Sequence, residues 1–328
     1  MSRRFMLLAT GGTIASVAGE NGLRPGIDAA QLLNRVLLPK DIVIDSKDVF
    51  SLDSSNIQPE EWRVLAREVY DALKTYDGVL ITHGTDTMAY TAAALSYMLP
   101  EMGKPVVLTG SQLPIGHPLS DAPVNFQEAL AVLQEAPGGV YVVFHHKIIC
   151  GTRAVKMRTT AFKAFHSVNG PLAGTVDSDG VHMQKVLPVR NPKGHELMDA
   201  IDPHVFLLKL IPGTSPEVFD FLAQAGYKGL VLEAFGMGGL HYIRRNLVDK
   251  LQSLGDHGII TLVTSQCMFE KADFTHYEVG SNVLSQSVFS GGDMTTEAAV
   301  TKLMWVLGDL ENRRQYLTKN IRGEMSES

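Results

Sequence analysis

Short apolar runs alternate along this chain with longer segments in which apolar residues recur at helical spacing. This alternation is typical of βαβ units, in which helices cover both faces of a mostly parallel sheet. We therefore predict an α/β fold whose large N-terminal part is a mostly parallel, doubly wound sheet. The strands predicted in this part are Phe5–Ala9, Asp41–Asp45, Gly78–Thr82, Pro105–Thr109 and Val140–Ile149.

Helices are predicted between these strands. The first begins at Pro59, with Glu60 and Glu61 in its first turn, where proline fits the backbone and acidic residues complement the helix dipole. Two further helices are predicted over Asp86–Leu99 and Asn125–Glu135. The apolar face of the first helix is predicted to consist of Trp62, Leu65, Val69 and Leu73.

The alternation is interrupted between Gly170 and Pro203, where proline, glycine and charged residues predominate. This composition predicts a hairpin followed by a linker. We therefore assign a large domain to residues 1–190, a linker to 191–204 and a smaller C-terminal α/β domain to 205–328. In the smaller domain we predict strands Val205–Leu210, Gly229–Phe235 and Gly258–Thr264, and helices Ser215–Ala225, Arg244–Leu254 and Thr295–Leu307.

Length and charge narrow the classes of function. The chain has 328 residues and a formal net charge of −6, so two domains can bury their cores without metals or disulfides. A mildly acidic chain lacks the basic surface that nucleic acids or anionic lipids would need. We therefore expect a small-molecule partner, with no nucleic acid and no membrane.

The cysteines and the N-terminus indicate the compartment. Cys150 and Cys267 show no C-x-x-C spacing, so we predict reduced thiols and no structural zinc. The apolar run that follows Arg4 ends before Thr10, which is too short for a signal peptide. No other segment matches a metal or dinucleotide motif, so we expect a cytoplasmic protein without a metal or cofactor.

Three polar loops stand beside predicted strands and helices, where the sites of open parallel sheets form. In the loop 10–13, two glycines allow a sharp turn that presents Thr13 either as a nucleophile or merely within a turn. In the loop 83–87, Thr85 or Asp86 could cap the next helix or act in catalysis. The loop 53–56 is a cap or turn that could equally hold a substrate carboxylate.

A hydroxyl nucleophile needs a base, because little alkoxide exists at neutral pH. His83 has a suitable side chain, but a histidine at a strand end is more often structural. The chain has no G-x-S-x-G elbow, which argues against an α/β-hydrolase. Lys156 could serve as the base if burial and a neighbouring aspartate adjust it, although most lysines in such a segment are solvated surface charges.

Taken together, these loops and their neighbours resemble the bacterial-type L-asparaginases, and specifically their cytoplasmic type I branch. The blocks fall in the order and spacing of that family and span nearly the whole chain. They are ATGGTIAS at 9–16, LDSSN at 52–56, ITHGTDTMAYTAAALSYML at 81–99, VVLTGSQLPI at 106–115, TRAVKMRTT at 152–160, SQCM at 265–268, YEVG at 277–280 and GDMTTEA at 292–298.

The resemblance implies hydrolysis of L-asparagine to L-aspartate and ammonia through a β-aspartyl ester. Thr13 matches the nucleophile, and Thr85, Asp86 and Lys156 match the second catalytic set. Asp86 also matches the residue that binds the substrate α-ammonium. The α-carboxylate pocket matches Ser54, with Asp53 and Ser55 beside it.

Three positions depart from the family pattern. Leu23 stands where the family commonly has a tyrosine on a mobile loop that closes over substrate. Either Lys156 and Thr85 alone activate Thr13, or another tyrosine does so, for which Tyr277 acting from a neighbouring subunit is our candidate.

Some members of the family also bind asparagine at a regulatory site, and Cys267 lies in a matching segment. At the positions paired with the other regulatory contacts, Val155 and Glu233 supply neither the hydroxyl nor the positive charge expected.

The motifs are compatible with two other functions. An amide-donating subunit of a tRNA-dependent amidotransferase shares them, although that branch generally carries an additional N-terminal domain. An amino-acid-binding regulator could keep the pocket without turnover, but retention of the nucleophile and of the second catalytic set argues against this function. The family pattern implies a homodimer or homotetramer, and it leaves the preference for asparagine over glutamine open.

Overall fold

The computed structural model describes residues 3–19, 22–184, 196–272 and 287–326. The chain divides into two compact units, Met1–Asp199 and Ala200–Ser328. The predicted linker 191–204 stays a prediction, because part of it lies outside the described residues. The predicted fold class is confirmed: the first unit contains a large mixed sheet, and the second contains a smaller parallel sheet.

The strands of the first unit form an eight-stranded sheet and two small hairpins. The sheet order is β12-β11-β8-β7-β6-β5-β1-β4, with parallel pairing from β4 to β7 and antiparallel pairing beyond. The hairpins are β2/β3 and β9/β10. The strands are β1 (Arg3–Gly11), β2 (Ser16–Gly19), β3 (Gly22–Pro25), β4 (Ile42–Leu52), β5 (Gly78–Thr82), β6 (Pro105–Thr109), β7 (Gly139–Phe144), β8 (Lys147–Cys150), β9 (Ala154–Lys156), β10 (Phe165–Ser167), β11 (Gly174–Asp177) and β12 (Gly180–Met183).

Helices cover both faces of this sheet. They are α1 (Ala29–Leu33), α2 (Pro59–Thr75), α3 (Met88–Met98) and α4 (Ala122–Glu135). Phe126 and Leu133 of α4 share one core cluster with Leu80 of β5, while α2 and α3 also contact the central strands. Because both faces are covered, all residues of β5 and β6 are buried, which explains their continuous apolar runs. The predicted apolar face of α2 is confirmed, since its four residues are buried.

The parallel register brings the ends of three strands to one level. Ala9 of β1 pairs with Thr82 of β5, and Thr82 pairs with Thr109 of β6. The Thr10 hydroxyl donates a hydrogen bond to the Thr82 carbonyl at 2.9 Å, and the His83 N–H donates to the Thr109 carbonyl at 2.9 Å. The loops that follow these strands therefore begin side by side.

One predicted strand is wrong. The segment 140–149 forms two antiparallel strands, β7 and β8, instead of one. The chain turns at His145 and His146, whose φ angles of 48° and 66° lie in the left-handed region used by two-residue hairpin turns. The hairpin predicted after Gly170 is confirmed as β11/β12.

The second unit contains a parallel sheet of order β13-β14-β15-β16. Its core includes a fully buried ion pair between Lys302 and Glu324, 2.6 Å apart. No helix within the described ranges is long and apolar enough to cross a lipid bilayer. The elements are β13 (Val205–Lys209), α5 (Glu217–Gln224), β14 (Gly229–Ala234), α6 (Leu247–Asp256), β15 (Ile260–Ser265), β16 (Val288–Ser290), α7 (Thr296–Leu307) and α8 (Leu310–Arg313).

Candidate active site

A cavity of about 170 Å³ lies at the carboxyl edge of the large sheet. All three polar loops predicted from the sequence contribute to it, together with the loop after β6 and the β9/β10 hairpin. Because nearly every lining side chain is polar, the cavity suits a small charged ligand. The lining residues are Gly12, Thr13, Asp53, Ser54, Gly84, Thr85, Asp86, Gln112, Lys156 and Thr159.

Two glycines allow the loops to approach each other closely. Gly12 has φ +81°, and a Cβ there would lie 2.3 Å from the Gly84 nitrogen. A Cβ on Gly84 would lie 2.5 Å from the Ser54 Oγ. Since no side chain fits at either position, the three loops can stack only because both residues are glycine.

Lys156 connects the hydroxyl and the carboxylate of the loop after β5. Its Nζ donates hydrogen bonds to the Thr85 Oγ1 at 2.8 Å and to the Asp86 Oδ1 at 2.6 Å. The Lys156 side chain is 18% exposed, whereas the Asp86 side chain is 61% exposed. The lysine is therefore held inside the site, while the carboxylate remains open to a ligand.

The alternative role proposed for Thr85 or Asp86, capping of the next helix, is wrong. Helix α3 begins at Met88, its N-cap residue is Thr87, and no side chain caps it. The Thr87 hydroxyl instead donates to the Ser54 carbonyl at 2.7 Å. Thr85 and Asp86 therefore keep their side chains for the cavity.

Ser54 and Asp53 form the opposite wall. The Asp86 N–H donates to the Ser54 Oγ at 3.2 Å, so the Ser54 hydroxyl hydrogen remains available for an acceptor in the cavity. The Ser55 hydroxyl and N–H donate to the Asp53 Oδ1 at 2.7 and 2.9 Å. These two bonds lower the pKa of Asp53. Ser55 is not a lining residue, and its contribution is to hold Asp53.

Thr13 lies in a single 3-10 turn, Thr13–Ala15, directly after Gly12. Its half-buried side chain lines the cavity. Within the described residues, its hydroxyl makes no hydrogen bond to a candidate base. Leu23 lies in β3, where its backbone pairs with Ala18 of β2. Tyr277, the other predicted partner of Thr13, lies outside the described residues.

His83 is structural and cannot act as a base in the cavity. Its ring is fully buried: Nδ1 donates to the Gly84 carbonyl at 2.7 Å, and Nε2 accepts from the Thr91 hydroxyl at 2.9 Å. Thr91 in turn accepts from the Trp62 indole N–H at 3.0 Å. Burial lowers the pKa of His83 to about 4, so the ring is neutral at physiological pH.

Gln112 is a lining residue that was not among the site residues predicted from the sequence. Its Oε1 accepts a hydrogen bond from the Thr85 hydroxyl at 3.4 Å, and its Nε2 donates to the carbonyls of Thr159 and Ala161. The sequence feature that could have identified Gln112 is its position in a polar loop directly after β6, the strand that pairs with β5.

The residues considered for a regulatory site are not among the residues that line this cavity. Val155 is buried in β9 of the first unit. In the second unit, Cys267 is exposed, whereas Glu233 is buried, accepts a hydrogen bond from Thr296 and lies 3.6 Å from the Lys209 ammonium. Across the described part of the chain, no group of three or more histidine, cysteine, aspartate or glutamate side chains could hold a metal ion.

Comparisons with known proteins indicate the family to which this chain is similar. The family model described as asparaginase, N-terminal, matches residues 4–188, and that of the glutaminase/asparaginase C-terminal domain matches residues 204–317. The L-asparaginase of Thermococcus kodakarensis is 41% identical over 99% of this chain and 100% of its own length. Its solved structure superposes with a TM-score of 0.92 at 40% identity, covering 99% of this chain and 100% of that one.

Two further relatives broaden the comparison. One of the subunits of the glutamyl-tRNA(Gln) amidotransferase of Pyrococcus abyssi is 35% identical over 98% of this chain and 76% of its own length. A solved structure described as a probable cytoplasmic L-asparaginase from Campylobacter jejuni has a TM-score of 0.82 at 27% identity, and the match covers 96% of this chain and 99% of that one.

Proposed function

This chain belongs to the asparaginase family of hydrolases, and from that membership we propose that it converts L-asparagine to L-aspartate and ammonia through an ester on Thr13. The observation that carries the proposal is that three groups share one cavity. They are the Thr13 hydroxyl, the hydrogen-bonded cluster of Thr85, Lys156 and Asp86, and the Ser54 hydroxyl on the opposite wall. Asparagine offers one partner for each: an amide carbon, an α-ammonium and an α-carboxylate.

The two ends of the substrate fix its orientation. The exposed Asp86 carboxylate accepts hydrogen bonds from the α-ammonium, and the Ser54 hydroxyl donates to the α-carboxylate. Because Ser54 and Asp86 are joined through the Asp86 N–H, the two contacts keep a constant separation. The side-chain amide is then directed toward Thr13.

The reaction proceeds in two steps. In the first, the Thr13 oxygen attacks the amide carbon, the base that activates Thr13 takes its proton and passes it to the amide nitrogen, and the carbon–nitrogen bond breaks as ammonia leaves. In the second, water attacks the ester: Thr85 takes a proton from the water and passes its own proton to the neutral amine of Lys156. The Thr13–acyl bond then breaks, and the proton held by Lys156 returns through Thr85 to the Thr13 oxygen, which restores the enzyme. Backbone N–H groups of the two glycine turns stabilise the oxyanion, a contribution of roughly 3–4 kcal/mol for each donor.

Activation of Thr13 has two possible sources. Thr85 and Lys156 supply one route, since they line the same cavity. Tyr277 from a second copy of the chain supplies the other, and this route requires a homodimer or homotetramer. We further propose that the enzyme is cytoplasmic, as the name of the C. jejuni relative describes that protein.

The nucleophile is tested by Thr13→Val, which removes the hydroxyl and preserves the shape of the side chain. We expect ammonia release to fall at least a thousandfold while thermal unfolding stays unchanged. Thr75→Val, at the exposed end of α2, is the matched control and should leave turnover unchanged. Rapid acid quench with asparagine should add one aspartyl group to the wild-type peptide that contains Thr13. Normal turnover by Thr13→Val, or acylation elsewhere, refutes the proposed nucleophile.

The amidotransferase relative provides the second candidate function. The two functions differ in their need for RNA, because a hydrolase releases free ammonia from asparagine without any other macromolecule. Steady-state ammonia release by the purified chain supports the asparaginase. Release that depends on a charged tRNA and a partner subunit would favour the amidotransferase.

A further inference from the structure

Gln112 contacts the catalytic cluster directly. Its side chain extends from the loop after β6 into the cavity, where the Thr85 hydroxyl donates to its Oε1 at 3.4 Å. On its other side, Nε2 donates to the carbonyls of Thr159 at 3.0 Å and Ala161 at 3.1 Å. The amide therefore lies between Thr85 and the loop of the hairpin that carries Lys156.

These contacts determine which end of the amide faces Thr85. Carbonyl oxygens accept hydrogen bonds and cannot donate them, so the nitrogen of Gln112 must face Thr159 and Ala161. A flipped amide would place an oxygen against two carbonyl oxygens. The oxygen is thus directed at Thr85, and it can act there only as an acceptor.

The backbone of Gln112 is also held in place. Both carboxylate oxygens of Asp121 accept from the Gln112 N–H at 3.0 Å, and one also accepts from the Leu113 N–H at 3.1 Å. Asn125 donates to Asp121 at 3.1 Å and to the Gly110 carbonyl at 3.0 Å. The start of α4 therefore fixes the turn from which Gln112 extends.

The direction of the Thr85 hydroxyl follows from this arrangement. A threonine hydroxyl has one hydrogen and two lone pairs. When protonated Lys156 donates to the Thr85 oxygen at 2.8 Å, the Thr85 hydrogen has to point elsewhere, and among the described residues Gln112 accepts it. In the state with neutral lysine, Thr85 donates its hydrogen to Lys156 and Gln112 loses this bond.

We propose that Gln112 is a positioning residue that orients the Thr85 hydroxyl and favours transfer of the proton to Lys156. The proposal rests on the proposed relay from water through Thr85 to Lys156. Gln112 neither gains nor loses a proton: it only accepts a hydrogen bond that exists once the lysine holds the proton. Asp53 and Asp86, the charged groups that share the cavity with Lys156, are unaltered by substitutions at Gln112.

Two substitutions separate this role from a purely structural one. Gln112→Met has a similar length but can neither donate nor accept in this way. Gln112→Glu keeps an oxygen acceptor for Thr85 but cannot donate to the carbonyls of Thr159 and Ala161. If Gln112 served only to hold that loop, both variants would lose that interaction, and the uncharged Gln112→Met would leave the acid limb of the pH profile where it is in the wild type. Gln134→Met, whose amide donates to the Leu130 carbonyl within α4, is the matched control.

The readout is the pH profile of ammonia release. For Gln112→Met we expect kcat to fall about fivefold, KM to change less than twofold and the acid limb to move about half a pH unit lower, since one hydrogen bond favouring the protonated lysine is lost. Gln112→Glu should move that limb higher, because its acceptor is charged. The control should match wild type in all three quantities.

Three results overturn the proposal: an unshifted acid limb in Gln112→Met, shifts of the same direction in both variants, or failure of Gln112→Met to fold in a thermal unfolding experiment. Failure of the proposed function would differ from all three. In that case the wild-type chain itself would release no ammonia from asparagine.

Discussion

Replacing Gly84 with alanine should displace Ser54 and weaken substrate binding. The backbone itself tolerates the change, because Gly84 is not among the glycines with positive φ. The added Cβ, however, would lie 2.5 Å from the Ser54 Oγ and 2.7 Å from the Ser54 Cβ. The same Cβ would also lie 3.2 Å from the Gly12 Cα, so the backbone at residue 84 has little room to move toward the loop 10–13 and relieve the clash.

The distances give the size of the effect. Ordinary van der Waals contact begins at 3.4 Å, so Ser54 has to move by about 0.9 Å from its present 2.5 Å separation. A misplacement of about 1 Å in a positioning group can cost on the order of a hundredfold in rate. We expect kcat/KM to fall about a hundredfold, mostly through KM, because Ser54 binds the substrate carboxylate in both the ground state and the transition state.

The assay is steady-state ammonia release, with thermal unfolding measured in parallel. Gly116→Ala is the matched control: its φ is also ordinary, and the atom nearest to its added Cβ is the Arg35 Nη1 at 3.5 Å. If Gly84→Ala acts through Ser54, then Ser54→Ala should lower kcat/KM less in the Gly84→Ala background than in the wild-type background. A kcat/KM within twofold of wild type, or a loss confined to kcat, would refute the reasoning.

Two further predictions concern stability. Glu324→Gln removes the carboxylate from the buried Lys302 ammonium and should lower the free energy of urea-induced unfolding by about 3–5 kcal/mol. Asp71→Asn, in an exposed ion pair that solvent screens, should leave this free energy nearly unchanged. Equal losses of unfolding free energy in the two variants would contradict this prediction. The pKa of His83 falls from 6.5 to about 4 on folding, so the unfolded chain binds an extra proton in this range and stability should drop as pH falls from 6.5 to 4. His83→Gln should reduce that drop by up to about 3 kcal/mol, and an unchanged pH dependence would exclude the explanation.

The buried strands are the part of the fold that the sequence predicts best. Gly78–Thr82 and Pro105–Thr109 have their predicted bounds, because every residue in them is buried and the apolar run ends where the strand ends. The turn at His145 and His146 is not predictable in the same way, since histidine is not a usual residue for left-handed hairpin turns. The three-residue strand β9 is too short to show a periodicity.

The candidate site likewise has one part that the sequence predicts and one part that it does not. Its three loops can be identified because each carries several polar residues beside a predicted strand or helix, and the family blocks supply the residue assignments. Gln112 escapes prediction because its importance depends on contacts with Thr85, Thr159 and Ala161, which are 27, 47 and 49 residues away in the chain. No local pattern encodes which end of an amide faces a hydroxyl.

The cavity walls come from segments that lie far apart in the chain, and this has a consequence for synthesis of the protein. Its walls come from the ends of β1, β4, β5 and β6 and from the β9/β10 hairpin, so they assemble only through pairing between distant segments. A nascent chain that has emerged through Thr13 must wait for Lys156, an interval on the order of ten seconds at typical rates of translation. Ribosome-bound chains that end before β9 should therefore bind no asparagine, and the ability to bind should appear abruptly once the hairpin has emerged.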